Sequence, residues 1–292
     1  MTDERRALLA AAITGILVGA AIVASRGVVS LVGPASLALL RYSIGLLCVL
    51  PVVALGPRVT IARRDILPIG LLGIGQFGLL IVLLNVGLQT VSSAQAAVLF
   101  ATVPLLTLVL SAGLGRERVS LLKILSVLLS ILSVALVVGE SLLSTVSTAA
   151  AWRGSLAVLG SAVCGAVCSV LYRPYLRRYP ALPVSALAMF WAVVFLALVA
   201  LPEGIQHTVP SLPGSAWLAI VFIGLNSGVG YFLWLWALGH TTPTRVTVFL
   251  ALSPVTASVL GALVLLEPLS IWSIGGVIGV ALSLWLVHVE HT

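Results

Sequence analysis

Ten successive apolar runs, at about 7–25, 35–55, 66–88, 93–113, 121–139, 154–172, 183–201, 214–237, 245–265 and 271–288, leave this chain very few folds. Each run is about as long as an α-helix must be to cross a hydrocarbon core of roughly 30 Å. Breakers and charges are confined to the short stretches between them, such as Gly33-Pro34, Gly56-Pro57-Arg58, Arg116-Glu117-Arg118, Pro180 with Pro183, and Pro202-Glu203-Gly204. Strands of a membrane barrel would alternate polar and apolar residues over ~10 positions. These runs do not alternate, so each is predicted as a helix. The first follows Arg5-Arg6, as the core of a signal peptide does, but its length suits a span and the topology below requires it. Composition agrees: 61% of residues are apolar and only 8% charged, against roughly 25% charged in a soluble domain. The expected class is an all-α membrane protein with ten transmembrane helices.

Lys and Arg in short loops mark the cytoplasmic side. Alternating sides from the N-terminus puts Arg5, Arg6, Arg58, Arg63, Arg64, Arg116, Arg118, Lys123, Arg173, Arg177, Arg178 and Arg245 on one side, and only Arg26 and Arg153 on the other. The basic side is therefore expected to be cytoplasmic, with both termini there and the chain multi-pass in the inner membrane. The net charge of +7 follows from those loops, so nucleic acid is not an expected partner. Trp152, Trp217 and Trp272 open the sixth, eighth and tenth runs on the other side, and Trp285 nears the cytoplasmic end of the tenth. Tryptophan is enriched at both membrane interfaces.

An offset of 150 positions aligns Gly78 with Gly228, Pro104 with Pro254, Glu117 with Glu267 and Ser120 with Ser270. At a slightly different offset Arg6 and Arg26 meet Arg153 and Arg173. The repeat unit is five runs, predicted as 1–145 and 146–292. An odd number of spans makes the two halves enter the membrane in opposite directions. Inverted repeats are an architecture of secondary transporters, with the substrate near the midplane between the halves.

The residues then resemble a family. Phe249-Leu-Ala-Leu-Ser-Pro254 through Leu266-Glu-Pro-Leu-Ser270, followed by Gly275, Gly276 and Gly279, is similar to the repeat signature of EamA-type members of the drug/metabolite transporter superfamily. Val103-Pro104 through Arg116-Glu-Arg-Val-Ser120 resembles a second copy, with Arg118 where the other half has Pro268. The resemblance covers the whole chain, and within the superfamily it is most similar to YddG-like amino-acid exporters. It implies a central cavity opening alternately to each side and export of aromatic or other neutral amino acids. Carriage of another drug or metabolite class is the alternative, and a passive channel is the remote one.

Polar side chains within spans tend to face the bundle interior. Gln76 and Asn226 lie near the middle of the third and eighth runs and are repeat partners. Each amide either meets a polar substrate or makes a structural interhelical hydrogen bond. At 100° per residue, Asn226, Ser227, Gly230, Tyr231 and Trp234 share an arc of about 140°, which reads as a cavity wall able to stack a ring. Trp236 points away from it. Gln76 and Phe77 share a sector, with Asn85 roughly opposite. Arg41, about two turns into the second run, either holds a substrate carboxylate or is structural, snorkelling or binding carbonyls. Tyr42 beside it and Trp191 in the seventh run are cavity candidates with packing as the other reading. Pro104 and Pro254, mid-span prolines that remove a backbone bond, are candidate symmetric hinges. Gly15 with Gly19, and Gly275 with Gly279, have spacing that permits close helix contact.

Asp3, Glu4, Asp65, Glu117, Glu140, Glu203, Glu267 and Glu290 all fall outside the middle of a predicted span. This argues for facilitated diffusion or exchange over ion coupling, with Glu117 and Glu267 left as coupling candidates. An embedded enzyme would need a nucleophile with a base, or a metal cluster, at membrane depth. No buried Asp, buried His or His-Glu-x-x-His pattern is present. The expectation is therefore a non-enzymatic carrier with no cofactor or metal, competent as a monomer. Cys164 and Cys168, one helical turn apart, are read as packing residues, with a soft-metal pair as the lesser reading.

Overall fold

The computed structural model describes residues 3–57, 59–115, 149–268 and 270–289, with 120–122, 124–126, 128–129, 132–133 and 136 between them. Arg58, Arg116, Glu117, Arg118, Lys123, Glu140, Glu290 and much of the predicted run 121–139 lie outside the described residues. Among the described residues, eight helices are long and apolar enough to cross a membrane, and a shorter apolar helix follows them. They are α1 (Asp3–Val32), α2 (Pro34–Leu55), α3 (Arg63–Leu88), α4 (Ser93–Gly113), α5 (Ala149–Leu176), α6 (Ala181–Ala200), α7 (Gly214–His240), α8 (243–264) and α9 (Ile271–Val289). The chain is a multi-pass membrane protein.

Local chemistry sets the helix ends. Gly33 has φ 97°, a left-handed value that glycine adopts without Cβ strain, so α1 turns into α2 within one residue. Pro34 begins α2, where its missing N–H is one that a helix start leaves unbonded anyway. Asn85 Nδ2 donates to the Pro34 carbonyl at 2.9 Å and anchors this corner to α3.

Three helices depart from regular winding. In α3, Ile74–Leu79 forms a π-helical segment. In α4, a turn at Ala101 and Thr102 divides Ser93–Phe100 from Val103–Gly113. In α8, a 3-10 turn at Phe249–Ala251 divides Pro243–Val248 from Leu252–Val264. Pro104 and Pro254 stand in the first turn of the two second halves. They therefore do not bend continuous helices. Each helix is interrupted just ahead of its proline, so the missing N–H falls at a helix start.

Packing follows an exchange rule. α1 packs on α7 and α8 as α5 packs on α3 and α4, while α2 packs on α7 as α6 packs on α3. The pairs α2 with α6 and α4 with α8 map onto themselves. Small residues permit the close crossings. A Cβ on Gly15 would lie 2.0 Å from the Phe249 carbonyl oxygen, and one on Gly19 2.6 Å from that of Ser253, so α1 seats directly on the break in α8. A Cβ on Gly73 would lie 2.2 Å from the Ala188 carbonyl oxygen where α3 meets α6. On α9 the pair divides: a Cβ on Gly279 would crowd Ser133 Oγ at 2.1 Å, whereas one on Gly275 would find only Leu136 at 4.0 Å. The outward shell is apolar, with Leu47, Leu71, Leu198 and Leu218 all exposed.

The charged residues tie the helix ends together. The Glu203 carboxylate accepts hydrogen bonds from the Ala35 and Ser36 backbone N–H groups at 2.9 and 2.7 Å, closing the start of α2. Glu267 does the same for Ser93 at the start of α4 and lies 3.5 Å from Arg26. Elsewhere Asp65 is buried, against the expectation of no buried Asp, because Tyr179 donates to it at 2.6 Å and Arg178 lies 3.6 Å from the same carboxylate. Each group joins residues that loop charge assigns to one membrane face.

Candidate functional site

Two adjoining pockets lie inside the bundle, and only the second reaches the interrupted helices α4 and α8. The first is lined by Thr14, Leu17 and Val18 of α1, Arg41 of α2, and Asn226, Ser227, Gly230 and Tyr231 of α7. The second is lined by Thr14, Val18, Gln76, Phe100 and Val103 from α1, α3 and α4. Its other wall is Gly165, Ser169, Tyr231, Trp234 and Leu250 from α5, α7 and the break in α8. Thr14, Val18 and Tyr231 belong to both pockets.

The five α7 residues expected to share a face do so, distributed over the two pockets. A Cβ on Gly230 would meet only Asn226 Oδ1 at 3.5 Å and Leu17 at 3.7 Å, ordinary contact distances, so this glycine opens space. Trp236 instead packs on His240 with ring centroids 4.3 Å apart.

The polar groups divide sharply. Asn226 Nδ2 donates to the Leu17 carbonyl at 2.8 Å, an interhelical bond, while the residue also lines the first pocket. Its repeat partner Gln76 is buried with Oε1 unbonded. Trp234 Nε1, across the same second pocket, is also buried without a partner. Leaving such groups unsatisfied costs about 1–3 kcal/mol each, which a folded chain tolerates where a ligand or function repays it.

Arg41 is only 6% exposed. Its Nε donates to Ser227 Oγ at 2.5 Å, and Ser227 in turn donates to the Ile223 carbonyl at 2.6 Å. No carboxylate among the described residues lies within ion-pairing distance of this guanidinium. It is therefore too buried to snorkel to an interface, and it has no countercharge among the described residues.

Tyr42 and Phe77, both fully buried, pack with Tyr231 as an aromatic triad. The Phe77 and Tyr231 centroids are 4.6 Å apart, in the edge-on arrangement that ring quadrupoles favour. Tyr42 and Phe77 thus stand behind Tyr231 and do not line the pockets. Trp191 lies against Gly70, where a Cβ would come 2.7 Å from its ring, outside the lining of either pocket. Cys164 donates to the Gly75 carbonyl at 3.2 Å and so packs α5 on the π-segment. Among the described residues no three His, Cys, Asp or Glu side chains gather as a metal site.

Sequence reasoning missed Thr14, Phe100 and Ser169. Thr14 is buried, donates to the Ala10 carbonyl at 2.8 Å and borders both pockets. Its hydroxyl at mid-run was the available signal. Phe100 gave none, because only the break in α4 turns it inward.

Comparison with known proteins places this architecture. The EamA-like transporter family matches residues 5–139 and 152–289. An uncharacterized transporter of Archaeoglobus fulgidus is 28% identical over 279 residues, covering 94% of this chain and 96% of its own length. A probable terminal-alkyne amino-acid exporter of Streptantibioticus cattleyicolor is 32% identical over 222 residues, covering 75% of this chain and 72% of that protein. A solved crystal structure superposes with a TM-score of 0.71 over 97% of each chain at 20% identity, a likeness of fold alone. The chain belongs to the EamA-like transporter family, within the drug/metabolite transporter superfamily.

Proposed function

We propose that this protein is an alternating-access carrier that exports neutral amino acids, aromatic ones foremost, across the inner membrane. Its halves, 1–145 and 146–292, are inverted five-helix repeats forming ten spans, with both termini cytoplasmic. The observation that carries this reading is that both halves line the second pocket: Gln76, Phe100 and Val103 face Ser169, Trp234 and Leu250 there. A site shared by two equivalent halves opens to either side when the halves exchange conformations. The exchange of helix pairings between halves supports the inverted arrangement, and the amino-acid assignment draws on the exporter from Streptantibioticus cattleyicolor.

In this reading Arg41, Asn226, Gly230, Tyr231, Gln76 and Trp234 contact substrate, while Tyr42 and Phe77 hold Tyr231 in place. Trp191 acts through its packing on Gly70. The interruptions ahead of Pro104 and Pro254 are the hinges. Uptake of labelled phenylalanine and leucine into proteoliposomes tests the assignment. Saturable uptake, accelerated by unlabelled substrate on the opposite side, is expected. Uptake that rises linearly with concentration, without counterflow, would mark a channel. Transport restricted to non-amino-acid metabolites would move the protein to another substrate class.

A further inference from the structure

We propose that the first pocket recognises its substrate by the carboxylate, and accepts carboxylates lacking an ammonium group at least as well as the matching amino acids. The inference rests on the carrier reading only in taking this pocket as the substrate site.

Arg41 is a cation with no anionic partner among the described residues. It is buried, its Nε donates to the uncharged Ser227, and its guanidinium carbon lies 5.5 Å from the centre of the Tyr42 ring. An unpaired cation at membrane depth is costly. Chains that keep one place it toward a substrate path or a pairing group. Arg41 lines the first pocket, so a group entering there meets the guanidinium. A guanidinium presents paired N–H donors in the geometry of a carboxylate, and a substrate carboxylate would supply the missing countercharge.

An amino acid brings an ammonium as well, and for this the described pocket lining offers no anion. Asp65, Glu203 and Glu267 are engaged at helix ends, and Asp3 pairs with Arg6. Glu4, Glu117, Glu140 and Glu290 fall at the ends of apolar runs or between them. What the two pockets offer beside Arg41 is neutral: the Asn226 and Gln76 amides, the Thr14 and Ser169 hydroxyls and aromatic rings. An ammonium held within a few ångströms of the guanidinium is repelled by it, and low dielectric strengthens that repulsion. A 2-oxo or N-acyl group has no such penalty. Its oxygen or N–H suits the unbonded Trp234 Nε1 and Gln76 Oε1, and the aromatic wall takes the apolar body. The class this adds beside the amino acids is an anionic carboxylate with a compact apolar or aromatic body.

Binding to the purified full chain in lipid nanodiscs, by isothermal calorimetry, tests this with five probes: phenylalanine, phenylpyruvate, N-acetylphenylalanine, phenylalaninamide and phenethylamine. Phenylpyruvate or N-acetylphenylalanine is expected to bind with a Kd no higher than that of phenylalanine. The two amines lacking a carboxylate should bind at least tenfold more weakly. Arg41→Gln should remove the preference for acids, and Arg41→Lys should restore part of it. Should Arg41→Gln not fold, the wild-type series decides alone. Phenylalanine binding tenfold tighter than both acids, amines binding as well as acids, or no binding by any probe would each overturn the proposal. Binding with the expected preference but without counterflow would sink the carrier reading and leave this one standing. Amino-acid counterflow insensitive to both acids would do the reverse.

Discussion

The Glu267 carboxylate accepts a hydrogen bond from the Ser93 backbone N–H at 3.1 Å, across 174 residues, and so caps α4 from the loop that follows α8. Ser93 Oγ donates to the same carboxylate, and Arg26 flanks it. The turn that delivers it is strained, since Leu266 has φ 54° without being glycine. Three helices from both halves are thereby joined at one end of the bundle, around the mouth of the α4 and α8 pair. Glu267→Ala is expected to lower stability by about 1–2 kcal/mol, the usual cost of a lost cap. Ser93→Ala should cost less, because the backbone bond survives. Thermal unfolding of the purified protein in one detergent separates the two variants; equal midpoints would deny the carboxylate its capping role.

At the α1–α2 corner, Gly33→Ala is expected to be far worse than an ordinary surface change. The φ of 97° penalises any side chain, and the added Cβ would come 2.5 Å from Glu203 Oε2. Strain alone costs about 1–2 kcal/mol, and displacement of Glu203 would also uncap α2. Loss of folded yield and a lower unfolding midpoint are the expected readouts. Unchanged values would mean that the corner relaxes without loss.

Gly73→Ala should destabilise although it adds a single methyl. Its Cβ would stand 2.2 Å from the Ala188 carbonyl oxygen and 2.6 Å from the Ala188 Cα, and neither backbone atom can turn aside. Overpacking of this kind costs about 1–3 kcal/mol. A wild-type unfolding midpoint would show that α3 and α6 can move apart freely.

Gly230 behaves oppositely. Gly230→Ala should fold as the wild type does, since its Cβ meets only ordinary contacts. Gly230→Phe places a ring in the first pocket and should abolish counterflow while the protein still purifies as a folded species. Full transport by Gly230→Phe would remove this pocket from the substrate path.

Much of the fold is written in local sequence. Helices in a bilayer must satisfy their own backbone hydrogen bonds, so apolar runs and the breakers between them suffice to place most spans. The arc on α7 was legible for the same reason: between Gly214 and His240 the helix is regular, and a fixed angle per residue carries side chains around it predictably.

Tertiary structure decided the rest wherever the winding changes. Gln76 and Phe77 lie inside the π-segment of α3, whose extra residue per turn displaces the fixed angular count. Phe100 and Leu250 enter the second pocket because α4 and α8 are interrupted beside them. The sequence left Asn226 between substrate and scaffold; the nearness of the Leu17 carbonyl gave its amide N–H to the scaffold and left the residue on the pocket wall. Arg41 was equally ambiguous until the packing of α2 against α7 buried it beside Ser227 with no carboxylate of the described residues in reach. Hydrophobic periodicity is a property of one helix and can be read along it, whereas the partner of a buried polar group belongs to whichever other helix the fold brings close.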